Sequence, residues 1–263
     1  MEITEILAYF GALIAGLIMG LIGGGGSILT VPILVYLLAF NPIIATAYSL
    51  FVVGSSACVG AIQKHRKGDV DIKTGLAFSF PSVIAVYLSR LYLVPNLPDV
   101  IFNINNFSLT KEMSIMIFFA IVMLFASIAM IKRKKAEALN HKIQPYYKTF
   151  IQGILIGIIT GLIGAGGGFL FVPALVLWTK LPMKKAVGTS LVIITINSLI
   201  GFVASIQTTT INWYFLLTFS ALTMVGILIG GSVSKHVSNS NLKKSFGYFT
   251  IIMGLYIIYR ELF

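Results

Sequence analysis

Of the side chains that metal binding and acid–base chemistry most often use, the 263 residues offer few: one cysteine, three histidines and eight acidic residues. Cys58 has no partner for an intrachain disulfide, and no cysteine cluster exists to hold a metal. His65, His141 and His236 each stand beside a lysine in a polar stretch, the setting of solvated loop residues rather than ligands. The apolar run around Cys58 holds no histidine, so nothing there resembles a nucleophile–base pair. An enzyme is therefore not the expected reading, and no metal or cofactor is expected.

Charge is equally scarce. Charged residues make up 10% of the chain, against roughly 25% in a soluble domain. Residues 6–63 contain no Asp, Glu, Lys or Arg, and neither do 186–234. Both stretches far exceed the roughly 18 apolar residues that announce a membrane span. With 57% hydrophobic residues and a mean hydropathy of +0.96, the chain reads as an all-α polytopic membrane protein. The acidic start, Met1-Glu2-Ile3-Thr4-Glu5, lacks the basic region of a cleaved signal, so the first apolar run is expected to be mature structure.

The net charge of +11 would suit a nucleic-acid partner if it lay on a folded face. It does not. The basic residues fall in short connections: Lys64-His65-Arg66-Lys67, Lys132-Arg133-Lys134-Lys135, Lys184-Lys185 and Lys243-Lys244. That is the pattern of cytoplasmic loops, and the expected partner is the lipid bilayer, not nucleic acid.

What the chain does have is glycine, concentrated in two related stretches. Gly23-Gly24-Gly25-Gly26-Ser27 precedes Val31-Pro32, and Gly164-Ala165-Gly166-Gly167-Gly168 precedes Val172-Pro173. A shift of 141 places residues 16–34 on 157–175 with 12 identities in 19, and also pairs Ser49-Leu50 with Ser190-Leu191 and Gly60 with Gly201. The chain is an internal duplication. Its expected units are 1–131, a cytoplasmic linker 132–148, and 149–263.

Each unit carries five apolar segments. In the first they are Ile6–Ile22, Ile28–Phe40, Ile43–Ile62, Ile72–Tyr92 and Met113–Ile131, with 93–112 as a loop. In the second they are Phe150–Ile163, Phe169–Thr179, Met183–Phe202, Trp213–Ser232 and Phe246–Tyr259. An odd number per unit means that the two enter the membrane from opposite sides, as inverted repeats. Placing the basic loops inside a cell (inner or plasma) membrane puts both termini outside. The second segment of each unit is too short to cross ~30 Å of hydrocarbon at ~1.5 Å per residue, so the short pairs are expected to re-enter.

Broken helices in inverted repeats place a substrate near the bilayer midplane. Helix starts at the glycine breaks would present free N–H groups, which attract anions. No ionised side chain lies in the break segments, and Arg90, near the end of its span, reads as reaching for the surface. Hydroxyl and amide groups must then assist. The expected substrate site comprises Gly23, Gly24, Gly25, Gly26, Ser27, Ser49 and Ser56 in the first unit, and Gly164, Ala165, Gly166, Gly167, Gly168, Thr189, Ser190, Asn197 and Ser198 in the second. Without a buried Asp, Glu or His for a coupling ion, export of a small anion down an inside-negative potential is the expected mode.

Gly20-Leu-Ile-Gly-Gly-Gly-Gly-Ser with Val31-Pro32, Gly161-Leu-Ile-Gly-Ala-Gly-Gly-Gly with Val172-Pro173, and Ala186-Val-Gly-Thr-Ser190 resemble the sulfite exporter TauE/SafE family. The resemblance covers nearly the whole chain, including Gly68-Asp-Val-Asp71. It implies a permease for small sulfur oxyanions or organosulfonates. Ala165 departs from the all-glycine pattern, so the two breaks need not contribute equally. An importer of sulfur compounds, a metal-ion or other-solute permease of the same fold, and a non-transporting membrane subunit stay open as alternatives, as does a homodimer.

Overall fold

The computed structural model describes residues 3–104, 107–132, 146–164, 168–206 and 211–262. The chain is built from helices. α1 (Ile3–Ile22) is followed by a short α2 (Gly25–Pro32) that continues through a π-helical turn, Ile33–Leu37. α3 (Pro42–His65), α4 (Ile72–Leu88, extended by a π-helical turn over Ser89–Leu93) and α5 (Lys111–Lys132) come next. α6 (Tyr146–Ile163), a short α7 (Gly168–Leu177), α8 (Met183–Ile206), α9 (Trp213–Val233) and α10 (Asn239–Leu262) follow. Among the described residues six helices are long and apolar enough to cross a membrane: α1, α3, α4, α5, α8 and α9. The chain is a multi-pass membrane protein.

Residues 93–112, expected as a plain loop, contain a hairpin. β1 (Val100–Ile104) pairs antiparallel with β2 (Phe107–Thr110), with an irregularity between Val100 and Phe102. β-branched and aromatic residues on alternating positions favour this pairing over a coil.

Local chemistry sets the helix ends. α1 stops at Gly23, whose φ of +86° is left-handed and whose N–H donates to the Met19 carbonyl at 2.7 Å. α6 stops in the same way at Gly164, with φ +68° and a bond to the Thr160 carbonyl at 2.9 Å. Glycine accepts this helix-ending conformation at no steric cost. Asn41, Asp71 and Asn212 cap α3, α4 and α9 with their side-chain oxygens.

Helices from the first and second halves of the chain interleave. α1 packs along α9, where Gly16 lies against the Thr223 backbone and Gly20 against Ile227 and Gly231. α6 packs along α4, with Gly157 against Ser82 and Gly161 against Val86 and Ser89. At the centre α3 and α8 run antiparallel, with Gly54 beside Leu199, Gly60 beside Leu191 and Gly201 beside Leu50. At Gly16, Gly20 and Gly157 glycine lets the backbones close to distances that any Cβ would block. Gly54, Gly60 and Gly201 face mainly the ends of leucine, isoleucine and valine side chains. Buried Phe78, Phe119, Phe169, Phe171 and Phe219 fill the space between.

Candidate functional site

The two short helices begin against each other. A Cβ built on Gly24 would fall on the Gly168 carbonyl and the Phe169 nitrogen, and one on Gly168 would lie 2.9 Å from the Gly24 Cα. Gly24 is the N-cap of α2 and offers no side-chain cap, so the first N–H groups of that helix have no side-chain oxygen from this position. Gly25 opens α2, and Gly26 packs back on Met19 and the Ala15 carbonyl of α1. Ser27 sits in the first turn of α2. Ala165, Gly166 and Gly167 lie outside the described residues.

The breaks themselves touch the central helices at opposite ends. Gly23 faces Val187 and Ser190 of α8; a Cβ there would sit 3.0 Å from the Ser190 Oγ. Gly164 faces Thr46 of α3 and the guanidinium of Arg90 on α4. The sequence expectation for Arg90 therefore needs correcting. It does not reach for the surface but is 4% exposed, folded inward because α6 covers α4 from the outside and the Gly164 turn leaves room for the guanidinium. Its Nη1 donates to Thr46 Oγ1 at 3.2 Å, while Nε and Nη2 are buried with no protein acceptor. The sequence signal that could have found it was an arginine inside a span, which is costly and marks function by default.

Among the expected hydroxyl and amide groups, two behaviours separate. Ser49 Oγ and Ser56 Oγ on α3, and Ser198 Oγ and Asn197 Oδ1 on α8, are buried without a protein partner. Asn197 Nδ2 donates to Ser82 Oγ at 2.7 Å, which fixes the amide's orientation. Ser49 and Ser56, seven residues apart, share a face of α3, as do Ser190 and Asn197 on α8. The other two groups are already engaged. Ser190 Oγ donates back to the Val187 carbonyl at 2.8 Å, and Thr189 Oγ1 accepts the Asp71 backbone N–H at 2.9 Å. Thr189 thereby anchors the connection before α4 to α8.

The cations at the 63–71 end are differently placed. Lys64, buried on α3, donates to Ser234 Oγ at 2.5 Å. Lys67 donates to the Gly231 carbonyl at 3.0 Å; burial, then the neighbouring Lys235, pushes its ammonium below the usual lysine range. At the opposite end a cavity of about 190 Å³ is lined by Arg90, Lys111, Ser205, Pro95, Val94, Ile43 and Ala47.

Comparison with known proteins agrees with this architecture. The sulfite exporter TauE/SafE family model matches residues 8–257. The chain belongs to that family. Among its relatives are a "probable membrane transporter protein" of Xylella fastidiosa, 28% identical over 94% of this chain and 92% of the relative, and the "probable membrane transporter protein YunE" of Bacillus subtilis, 29% identical over 95% and 96%. A further one, from the archaeon Methanocaldococcus jannaschii, is 22% identical over 94% of each chain. No solved structure matches the chain. The TauE/SafE family and the names of these relatives make the protein a membrane transporter.

Proposed function

We propose that this TauE/SafE family member exports small sulfur-containing anions, such as sulfite or an organosulfonate, by alternating access between two inverted repeats, 1–131 and 149–263, joined by a cytoplasmic linker at 132–148. Both termini lie outside the cell membrane in this reading, and the α1–α2 and α6–α7 pairs are re-entrant. The observation that carries it is the meeting of the two short-helix starts at Gly24 and Gly168. Two positive helix ends brought together favour an anion beside them.

The repeat reading draws support from contacts that exchange under the 141-residue shift. Gly16 meets Thr223 as Gly157 meets Ser82, and Gly60 meets Ile227 and Leu191 as Gly201 meets Val86 and Leu50. Advancing one partner by 141 and moving the other back by 141 reproduces the contact each time. A pair of segments related by a two-fold axis in the membrane plane requires this relation. The left-handed residues that close the short helices, Ala39 and Lys180, obey the same shift.

Ser49, Ser56 and Ser198 would complete the site with hydroxyl donors that the protein does not otherwise use, and Asn197, whose Nδ2 also bonds Ser82, would offer its remaining amide hydrogen. Each helix start contributes at most ~2 kcal/mol to an anion, less than the several kcal/mol of its desolvation, so binding is weak and release fast. Export then follows the membrane potential, worth ~2.3 kcal/mol per charge per 100 mV.

Flux into liposomes of the purified protein tests this with sulfite, sulfoacetate, sulfate and chloride under an imposed potential. Flux of sulfur anions that tracks the potential without a proton gradient is expected. Flux that requires a proton or sodium gradient overturns the uncoupled mode, and Glu261, bonded to the Tyr36 hydroxyl at 2.7 Å, is then the carboxylate to replace.

A further inference from the structure

We propose that the cavity holding Arg90 and Lys111 is an oxyanion-binding site, separate from the meeting point of the short helices. Arg90 is 4% exposed and Lys111 is 7% exposed. A buried guanidinium loses several kcal/mol of hydration and ordinarily recovers it from a carboxylate. No carboxylate hydrogen-bonds to Arg90 here: Nη1 is spent on Thr46, a neutral hydroxyl, and Nε and Nη2 meet no protein acceptor. Those two nitrogens lie on the edge of the guanidinium that grips two oxygens of a planar or tetrahedral oxyanion at once. Both are closed off in this conformation, Nη2 against Gly164, so the side chain must turn into the cavity to present them. Lys111 Nζ, with only a 3.5 Å contact to the Pro95 carbonyl, adds a second positive charge to the same lining.

The rest of the lining is Ser205 with apolar walls, including Ala47 and Val94, and contains no acidic residue. Two cations lining one cavity without an acidic residue between them favour a small anion carrying several oxygens: sulfite, sulfate, or phosphate. About 190 Å³ suffices for such an ion with some of its water. Because Arg90 lies directly against Gly164, an anion held there bears on the break between α6 and α7. The site would then act as the mouth of the pathway, a role that rests on the transport reading, although binding itself does not.

The test is sulfate binding to the purified full chain in detergent, at constant ionic strength set with chloride, read by calorimetry or by the shift in unfolding temperature. Saturable binding is expected. R90Q should weaken it at least tenfold and K111Q several-fold, with R90K between wild type and R90Q. K67Q, which removes a cation from the opposite end, should leave it unchanged. Should R90Q fail to fold, K111Q and R90K carry the comparison. Wild-type affinity in R90Q, or an equal loss in K67Q, overturns the site. Flux separates the two claims. Arg90-dependent sulfate binding in a protein that moves no sulfur anion keeps the site and sinks the transport reading; flux without such binding does the reverse.

Discussion

Gly164 and Arg90 are built against each other: a Cβ added to the glycine would land on the guanidinium. The left-handed turn that ends α6 and the burial of an arginine on α4 are thus one arrangement. At the other break Gly23 takes the same turn against Val187, 141 residues on from Thr46, but the residue in the place of Arg90 is Gly231, against which Gln63 packs. The two ends share a backbone plan and differ in how the cation is supplied, Arg90 from within its helix at one and Lys67, bonded to the Gly231 carbonyl, from a connection at the other.

The first prediction concerns that turn. Gly164→Ala forces a side chain into left-handed backbone and onto Arg90 together. Left-handed strain is worth roughly 1–2 kcal/mol and overpacking a further ~1–3 kcal/mol. Gly68 is also left-handed, with φ +73°, but a Cβ there meets nothing within 4 Å. Gly68→Ala should therefore cost only ~1 kcal/mol. Denaturant unfolding in micelles should rank G164A well below G68A; equal losses would mean that Arg90 moves aside freely.

A second prediction follows from the unpartnered hydroxyls. A buried hydroxyl without a partner costs roughly 1–3 kcal/mol, so Ser56→Ala and Ser198→Ala should leave the fold as stable or raise its unfolding temperature, while slowing flux. That opposite movement of stability and activity is what a substrate contact predicts. A hydroxyl that merely packs would lose neither. Asn197→Ala should differ, because it also breaks the bond to Ser82 and lowers stability.

The third prediction reads the helix crossings. A Cβ on Gly16 would strike the Thr223 carbonyl and one on Gly157 the Ser82 carbonyl, both backbone atoms that cannot step aside. Gly11 instead faces the Ile33 Cδ1 at 2.9 Å, the tip of a flexible side chain. Gly16→Ala and Gly157→Ala should each cost ~1–3 kcal/mol, by similar amounts if the two crossings are equivalent. Gly11→Ala should cost less than 1 kcal/mol. Unfolding of the three variants side by side checks the order.

Much of this was legible in the sequence because it is carried by periodic or repeated signals. Charge-free runs announced the spans, and the repeated Gly-rich stretches located both helix breaks to within a residue or two. The short helices begin earlier than their apolar runs suggest, at Gly25 and Gly168 rather than Ile28 and Phe169, since glycines can enter a helix once the turn is made. The Val100–Thr110 hairpin was hidden in a stretch rich in asparagine. An arginine inside a span marks Arg90 as a residue to examine, but near the span's end it looks the same in the sequence whether it points outward or inward. Only the packing of α6 over α4 decides it. Likewise Thr189, one of a run of small polar residues, gives no sign in the sequence that a backbone 118 residues away uses its oxygen.

That last contact has a counterpart and supplies the final prediction. Asp71 N–H donates to Thr189 Oγ1 at 2.9 Å, and Asn212 N–H donates to the Tyr48 hydroxyl at 2.6 Å. Residues 71 and 212 are 141 apart, as are 48 and 189, and Asp71 and Asn212 each cap the helix that follows. If these hydroxyls anchor the connections before α4 and α9, Thr189→Val and Tyr48→Phe should each strand a backbone N–H and cost ~1–3 kcal/mol. Thr189→Ser, which keeps the acceptor, should restore most of the loss. Substrate concentration dependence then decides the role of Thr189. An anchor alters stability and the maximal flux while leaving the half-saturating concentration in place. A rise in that concentration in T189V at unchanged stability would return Thr189 to the list of groups that touch the anion.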